Sequence, residues 1–148
     1  MKSRVYGIAQ SLLFALFALV VWFDPAPRTI LGEPVLVVAG DLLCLVGVIL
    51  LFVALQTLGR AVQIAPAPRV EAELVTRGVY GRLRHPIYTA IVLIVVGFVL
   101  RGITPAGAVI ALVIVVFLMI KARYEETLLA ARYPQYAEYR RRTRGVLY

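Results

Sequence analysis

The chain has 148 residues, 61% of them hydrophobic, and a formal net charge of +8. A chain of this length forms one domain, and one small core cannot bury so much apolar surface, so the excess is expected to face lipid. Basic residues that flank apolar spans face anionic headgroups, so this charge does not predict nucleic-acid binding. The single cysteine and the single histidine exclude a disulfide framework and a metal site built from several Cys or His residues.

Four apolar runs predict an all-α integral membrane protein whose single domain covers residues 1–148. The expected spans are residues 5–23, 35–58, 86–100 and 105–120. The first two reach the length of about 20 residues that a helix needs to cross the hydrocarbon core. Because only four residues separate the last two, they are predicted to form a tight hairpin that crosses fully, tilts or stops short of the far surface.

Lys and Arg residues are distributed unevenly between the loops. The N-terminus has two, the central loop 59–85 has five and the tail 121–148 has seven, whereas the two remaining loops have one each. An excess of basic residues marks the cytoplasmic side of a membrane protein. Both termini, the central loop and the tail are therefore predicted to be cytoplasmic.

Asp41 is the only acidic residue within a predicted span. A carboxylate inside the membrane suggests function, and a small four-helix transporter that uses Asp41 is one alternative. However, Asp41 lies near the outer end of its span, where it can pair with Arg28 or Arg101. We favour this structural interpretation.

A first group of polar residues ends the central loop and enters the third span. The side chains able to bind a ligand or take part in a reaction are those of Tyr80, Arg84, His85 and Tyr88. Gly78 and Gly81 let the backbone turn tightly before them, and Pro86 suits the first turn of a helix. The alternative is a simple interfacial belt, because Tyr and Arg are common at the membrane boundary.

A second group follows the fourth span on a continuing helix. One carboxylate of Glu125 and Glu126 can pair with Arg123 or Lys121, which leaves the other for a cationic ligand group. Because a hairpin begins and ends at the same membrane face, the two groups are expected to be neighbours. Farther on, residues 128–139 are amphipathic and predict a membrane-surface helix with a basic end. Pro134 is expected to start a new helix or bend the old one.

These two groups, in this order, resemble the isoprenylcysteine carboxyl methyltransferases and the related phospholipid methyltransferases. The matching strings are Leu58-Gly59-Arg60, Leu74 to Tyr80, Arg84-His85-Pro86-Ile87-Tyr88, Glu125-Glu126 with Leu129, and Tyr133 to Arg140. The resemblance covers about residues 58–144. The chain departs from it at Tyr133-Pro134, where relatives often have Phe-Gly, and in lacking a closing proline.

The resemblance implies a methyltransferase that uses S-adenosylmethionine, releases S-adenosylhomocysteine and holds both at the cytoplasmic boundary without a Rossmann domain. The cofactor contacts that it implies are Leu74, Val75, Gly78, Tyr80, Arg84, His85, Pro86, Tyr88 and Glu125. The implied catalytic residues are Arg123 and Glu126, and no metal is implied.

The resemblance also implies a lipophilic acceptor, a lipid or a prenylated molecule, that is taken from the lipid bilayer. Methylation of an isoprenylcysteine-like carboxylate is the leading hypothesis, since a carboxylate needs only a cation such as Arg123 or Lys121 to hold it. Methylation of a phospholipid or other lipid amine is the alternative, and it requires a base such as His85 or Glu126. An inactive relative with a structural role is a third hypothesis. The sequence leaves the acceptor's identity and the oligomeric state open.

Overall fold

The computed structural model describes residues 2–23, 34–59, 74–102 and 104–146. The helices are α1 (Lys2–Phe23), α2 (Pro34–Leu58), α3 (Pro86–Leu100), α4 (Pro105–Arg132) and α5 (Tyr136–Arg142). Within these ranges the only β pairing is an isolated bridge between Leu83 and Arg144, so the predicted all-α class is confirmed. The predictions for residues 24–33 and 60–73, including Arg28 and Arg60, lie outside the described residues.

Three of the helices are long and apolar enough to cross a membrane. These segments are Val5–Phe23, Pro34–Leu58 and Pro105–Arg132. Helix α3 is also apolar but has 15 residues, about 22 Å of helix against a hydrocarbon core of about 30 Å. Large apolar side chains are exposed along α1 and α2, among them Leu12, Phe52 and Trp22. This combination of length and exposed apolar surface identifies a membrane protein.

Helix α3 packs between α2 and α4, and α1 packs against α4. The contact of α2 with α3 depends on small residues, as is common where helices approach closely in lipid. A Cβ atom added at Gly97 of α3 would lie 2.6 Å from Cys44 Sγ and 2.7 Å from the Gly40 carbonyl oxygen of α2. These glycines therefore bring the two backbones together, and α2 holds α3 in place.

The predicted hairpin of α3 and α4 is confirmed, with a turn between Leu100 and Pro105. The side chain of Thr104 caps α4 by accepting a hydrogen bond from the Gly107 backbone N–H at 3.3 Å. Helix α4 continues without a break to Arg132, as the sequence predicted. The end of α4 that follows the apolar run therefore lies beside the beginning of α3.

Asp41 forms an ion pair with Arg101, with 3.1 Å between Oδ1 and Nη1. About half of the Asp41 side chain is exposed, and the pair joins α2 to the end of α3. The pairing of Asp41 with Arg101, one of the two partners that the sequence allowed, is therefore confirmed.

The tail forms a new helix after Pro134, because α4 ends at Arg132 and Tyr133 is extended. This helix, α5, is amphipathic, but Tyr136 and Tyr139 are buried against the protein, at 1% and 3% exposure. The expectation that this apolar face lies on the membrane surface is therefore wrong. The reason is that the tail returns to the central loop and covers it.

Candidate functional site

The end of the central loop is shaped by Gly78 and by the start of α3. Gly78 has a φ of +57°, which favours glycine, and a Cβ atom there would lie 3.1 Å from Thr57 Cγ2. Pro86 is fully buried and occupies the first turn of α3, with His85 as the N-cap residue. The end of the loop is thus fixed against α2, and His85 and Tyr88 follow it at the start of α3 with buried side chains.

Glu125 of α4 meets the side chains from the start of α3. Tyr88 donates a hydrogen bond to Glu125 Oε1 at 2.6 Å. His85 Nδ1 lies 3.6 Å from Glu125 Oε2, and the rings of His85 and Tyr88 stack with 5.4 Å between centroids and 2° between planes. The predicted proximity of the two polar groups is confirmed. We refer to His85, Tyr88 and Glu125 as the Glu125 cluster.

Tyr80 lies next to the Glu125 cluster. Burial raises the pKa of the Tyr80 phenol well above its ordinary value, and the nearby Tyr139 and Glu125 raise it further. The hydroxyl therefore stays protonated, and it is in electrostatic reach of the Glu125 carboxylate. Of the remaining implied contacts, Leu74 and Val75 are half-buried at the start of the described part of the loop.

Lys121 is buried beside the same cluster, with 1% exposure. Its ammonium donates a hydrogen bond to Gln10 Oε1 of α1 and lies 5.2 Å from the centroid of the Tyr88 ring. Lys121 and Glu125 are four residues apart and share one face of α4. Arg123 lies between them in sequence, points to another face and is exposed.

Glu126 belongs to a different set of contacts. Its Oε1 accepts a hydrogen bond from Arg84 Nε at 2.8 Å and lies 3.3 Å from His85 Nε2. Its Oε2 lies 3.7 Å from Arg140 Nε. The sequence allowed one carboxylate of the acidic pair to bind Arg123 or Lys121. Glu126 binds Arg84 instead, because its side chain faces the loop and the tail.

Arg84 joins the central loop to the tail. Its Nη1 donates to the carbonyl oxygens of Arg140 and Thr143 at 3.1 and 2.5 Å. Its backbone N–H donates to the Arg144 carbonyl at 2.8 Å. With Glu126 as its carboxylate partner, the guanidinium fastens the tail to α4. We refer to Arg84, Glu126 and the tail carbonyls of Arg140 and Thr143 as the tail clamp.

The tail is held at a second point by Tyr139. Its hydroxyl donates to the Tyr80 carbonyl oxygen at 2.7 Å, and its own carbonyl accepts from Thr143 Oγ1 at 2.6 Å. Burial raises the pKa of the Tyr139 phenol to about 12. The phenol therefore remains a hydrogen-bond donor across the neutral range.

Two residues of this region were missed by reasoning from the sequence. Gln10 had a signal, because it is a strong hydrogen-bonding group within an otherwise apolar span. Thr143 had none, since it contributes a backbone carbonyl oxygen, which every residue has. Their contacts cross more than 50 positions of sequence in each case.

The fold and the site define a class: an all-α membrane protein with a buried imidazole and phenol and a partly buried carboxylate at the end of a helical hairpin. Residues 35–136 match the phospholipid methyltransferase family, and the chain belongs to that family. The resemblance stated from the sequence is thereby confirmed. Helix α1 lies outside the matched residues.

One curated relative is the cobalt-zinc-cadmium resistance protein CzcN of Cupriavidus metallidurans. It is 39% identical over 98 residues, which are 64% of this chain and 44% of that protein. The chain therefore spans less than half the length of the relative that it matches.

Proposed function

We propose that this protein is an S-adenosylmethionine-dependent methyltransferase that esterifies a carboxylate on a lipophilic acceptor. The observation that carries the proposal is the Glu125 cluster, where a partly buried carboxylate, a phenol and an imidazole converge beside the ammonium of Lys121. Membership of the phospholipid methyltransferase family supports the reaction class.

The chemistry of these side chains fits the cofactor. The α-ammonium and the ribose hydroxyls of the donor need an acceptor such as the Glu125 carboxylate, and its α-carboxylate needs donors such as His85 or Tyr80. Leu74 and Val75 supply apolar surface for the adenine ring of the donor. Arg84 has its guanidinium in the tail clamp, so we assign it to holding the tail and not to direct contact with the donor.

S-adenosylmethionine supplies a methyl group: its carbon–sulfur bond breaks, a carbon–oxygen bond forms, and S-adenosylhomocysteine remains. A carboxylate acceptor is already ionised, so no proton has to be removed from it. The protein's part is alignment and exclusion of water. Lys121 is the buried cation beside the cluster, so we assign it, in place of the exposed Arg123, to hold the acceptor carboxylate. Glu126 is engaged by Arg84, so we assign it a structural role.

We propose the same orientation in the membrane that the distribution of basic residues predicts. The four apolar helices span or enter the bilayer, and both termini are cytoplasmic. The polar cluster then lies at the cytoplasmic boundary, where a water-soluble donor arrives from one side and a lipophilic acceptor arrives through the bilayer.

Incubation of the purified protein with methyl-labelled donor and a lipid extract tests the reaction. The expected product carries alkali-labile label that is released as methanol, because methyl esters hydrolyse and N-methyl groups do not. Alkali-stable label on a phospholipid amine would indicate that the protein catalyses N-methylation and not esterification. No labelled lipid from any extract, with the donor shown to bind, would contradict the proposed reaction.

A matched pair of variants tests the assignment of the cation. Lys121→Met is expected to reduce kcat/KM for the acceptor by about 100-fold, because a buried charge-assisted contact is lost, whereas Arg123→Met is expected to change it by less than about threefold. A larger loss in Arg123→Met than in Lys121→Met would indicate that Arg123 holds the acceptor carboxylate.

A further inference from the structure

Helix α1 reaches the proposed acceptor side of the site through one side chain. Gln10 is half-buried on α1, and its amide oxygen accepts a hydrogen bond from the Lys121 ammonium. The next residue, Ser11, is exposed and bonds to the Gly7 carbonyl of its own helix at 3.1 Å. Gln10 thus makes a contact between helices that its polar neighbour does not make.

A buried ammonium is unfavourable unless polar groups replace the water that it loses. Around Lys121 these groups come from three helices: the amide oxygen of Gln10, the ring face of Tyr88 and the carboxylate of Glu125 on the next turn of α4. Tyr88 and Glu125 are also bonded to each other. Gln10 is therefore a contact that holds Lys121 from the side of α1.

We propose that Gln10 is a positioning residue that fixes the ammonium of Lys121 for an anionic acceptor, and that α1 is thereby part of the acceptor site. The inference rests on the proposed function for the role of Lys121, but the position of Lys121 can be measured without turnover. Gln10 lies outside residues 35–136, so the family match does not assign it.

The sequence allows a direct measurement of that position, because Lys2 and Lys121 are its only lysines. Protein labelled with ¹³C-lysine gives two sets of side-chain resonances, and Lys121→Met identifies the one that disappears. The ring of Tyr88 is expected to shift the Lys121 ε-methylene resonance upfield of that of Lys2. Gln10→Met keeps the length of the side chain and removes the acceptor oxygen, so this shift is expected to be lost.

Two control variants separate position from helix stability. Ser11→Leu changes a polar residue on the same helix and is expected to leave the Lys121 resonance in place. Gln10→Glu keeps an acceptor oxygen at the same place and is expected to retain the upfield shift. An unchanged resonance in Gln10→Met, or an equal change in Ser11→Leu, would overturn the inference.

Kinetics test the consequence for the acceptor. Gln10→Met is expected to raise the acceptor KM about tenfold and to leave the affinity for S-adenosylhomocysteine within about threefold of wild type. In a Lys121→Met background the same change is expected to have no further effect, because the two residues act through one contact. A full additive effect in that background would contradict a role through Lys121.

The two proposals fail in different ways. If wild-type protein neither binds the donor nor labels a lipid, the proposed function fails, while the lysine resonance still reports on Gln10. If wild-type protein is active and Gln10→Met has the wild-type resonance and acceptor KM, only the positioning role fails. Affinity for S-adenosylhomocysteine in Gln10→Met also shows that the variant is folded.

Discussion

Glu125 and Glu126 are adjacent in sequence but serve two different regions of the molecule. Glu125 faces the start of α3, where it contacts Tyr88 and His85 and keeps 17% of its side chain exposed. Glu126 faces the loop and the tail, with 6% exposure and a guanidinium partner. Adjacent positions on a helix point about 100° apart, so a step of one residue separates the Glu125 cluster from the tail clamp.

His85 contacts both regions. Its Nδ1 faces Glu125 at 3.6 Å and its Nε2 faces Glu126 at 3.3 Å. A change in the tail clamp therefore reaches the Glu125 cluster through one imidazole ring. The following substitutions test whether the two carboxylates divide their roles in this way.

The largest effect is expected from Glu126→Ala, because it leaves the buried guanidinium of Arg84 without its carboxylate. The Arg144 amide donates to the Arg82 carbonyl oxygen at 2.9 Å, so its exchange reports on docking of the tail. Loss of one partner of a buried pair costs about 3 kcal/mol, so exchange of the Arg144 amide hydrogen should accelerate by about 100-fold. Hydrogen exchange of the tail peptide measures this. Exchange that stays at the wild-type rate would show that Glu126 does not hold the tail.

Glu125→Gln is expected to act on the donor and not on the tail. Loss of the carboxylate should weaken binding of S-adenosylhomocysteine by about 30-fold, the size of one charge-assisted hydrogen bond. Protection of the Arg144 amide should stay within about threefold of wild type. If Glu125→Gln released the tail and left ligand affinity unchanged, the two carboxylates would have exchanged roles.

Tyr139→Phe is expected to have a smaller effect on the tail. It removes the hydrogen bond to the Tyr80 carbonyl, which contributes about 1 kcal/mol, so tail exchange should accelerate about fivefold. Tyr136→Phe is a matched control on the same helix, because the buried Tyr136 hydroxyl makes no hydrogen bond within the described part of the chain. Equal acceleration in both variants would remove the special role of Tyr139.

The smallest effect concerns alkaline pH. Burial raises the pKa of Tyr139 from 10.0 to about 12, so the neutral phenol stabilises the docked tail fully below pH 10 and loses this effect as the pH rises through about 12. The difference in tyrosinate absorbance between wild type and Tyr139→Phe should show a midpoint near 12. A midpoint near 10 would indicate that Tyr139 is exposed.

The hairpin and the Glu125 cluster were predictable from short-range features. Four residues between two apolar runs force α3 and α4 to fold back, and Pro86 marks the start of α3. The two polar groups flank that hairpin, so their proximity followed. The position of Lys121, and not Arg123, beside Glu125 could also have been predicted, because residues four apart share a helix face and residues two apart do not.

The tail clamp and the contact of α1 were not predictable in the same way. Arg84 binds carbonyl oxygens of Arg140 and Thr143, and backbone acceptors have no sequence signature. The tyrosine face of α5 indicates only that the helix is amphipathic, and a membrane surface or a protein surface satisfies that pattern equally well. Likewise, the glutamine of α1 does not reveal which helix it contacts.

Calorimetric titration of S-adenosylhomocysteine and S-adenosylmethionine into purified wild-type protein in detergent tests the Glu125 cluster most directly. We expect saturable binding of both compounds at one site with micromolar affinity, because the Glu125 cluster is already assembled in the structure. Absence of binding heat with either compound, from protein whose tail shows protected amides, would contradict this expectation.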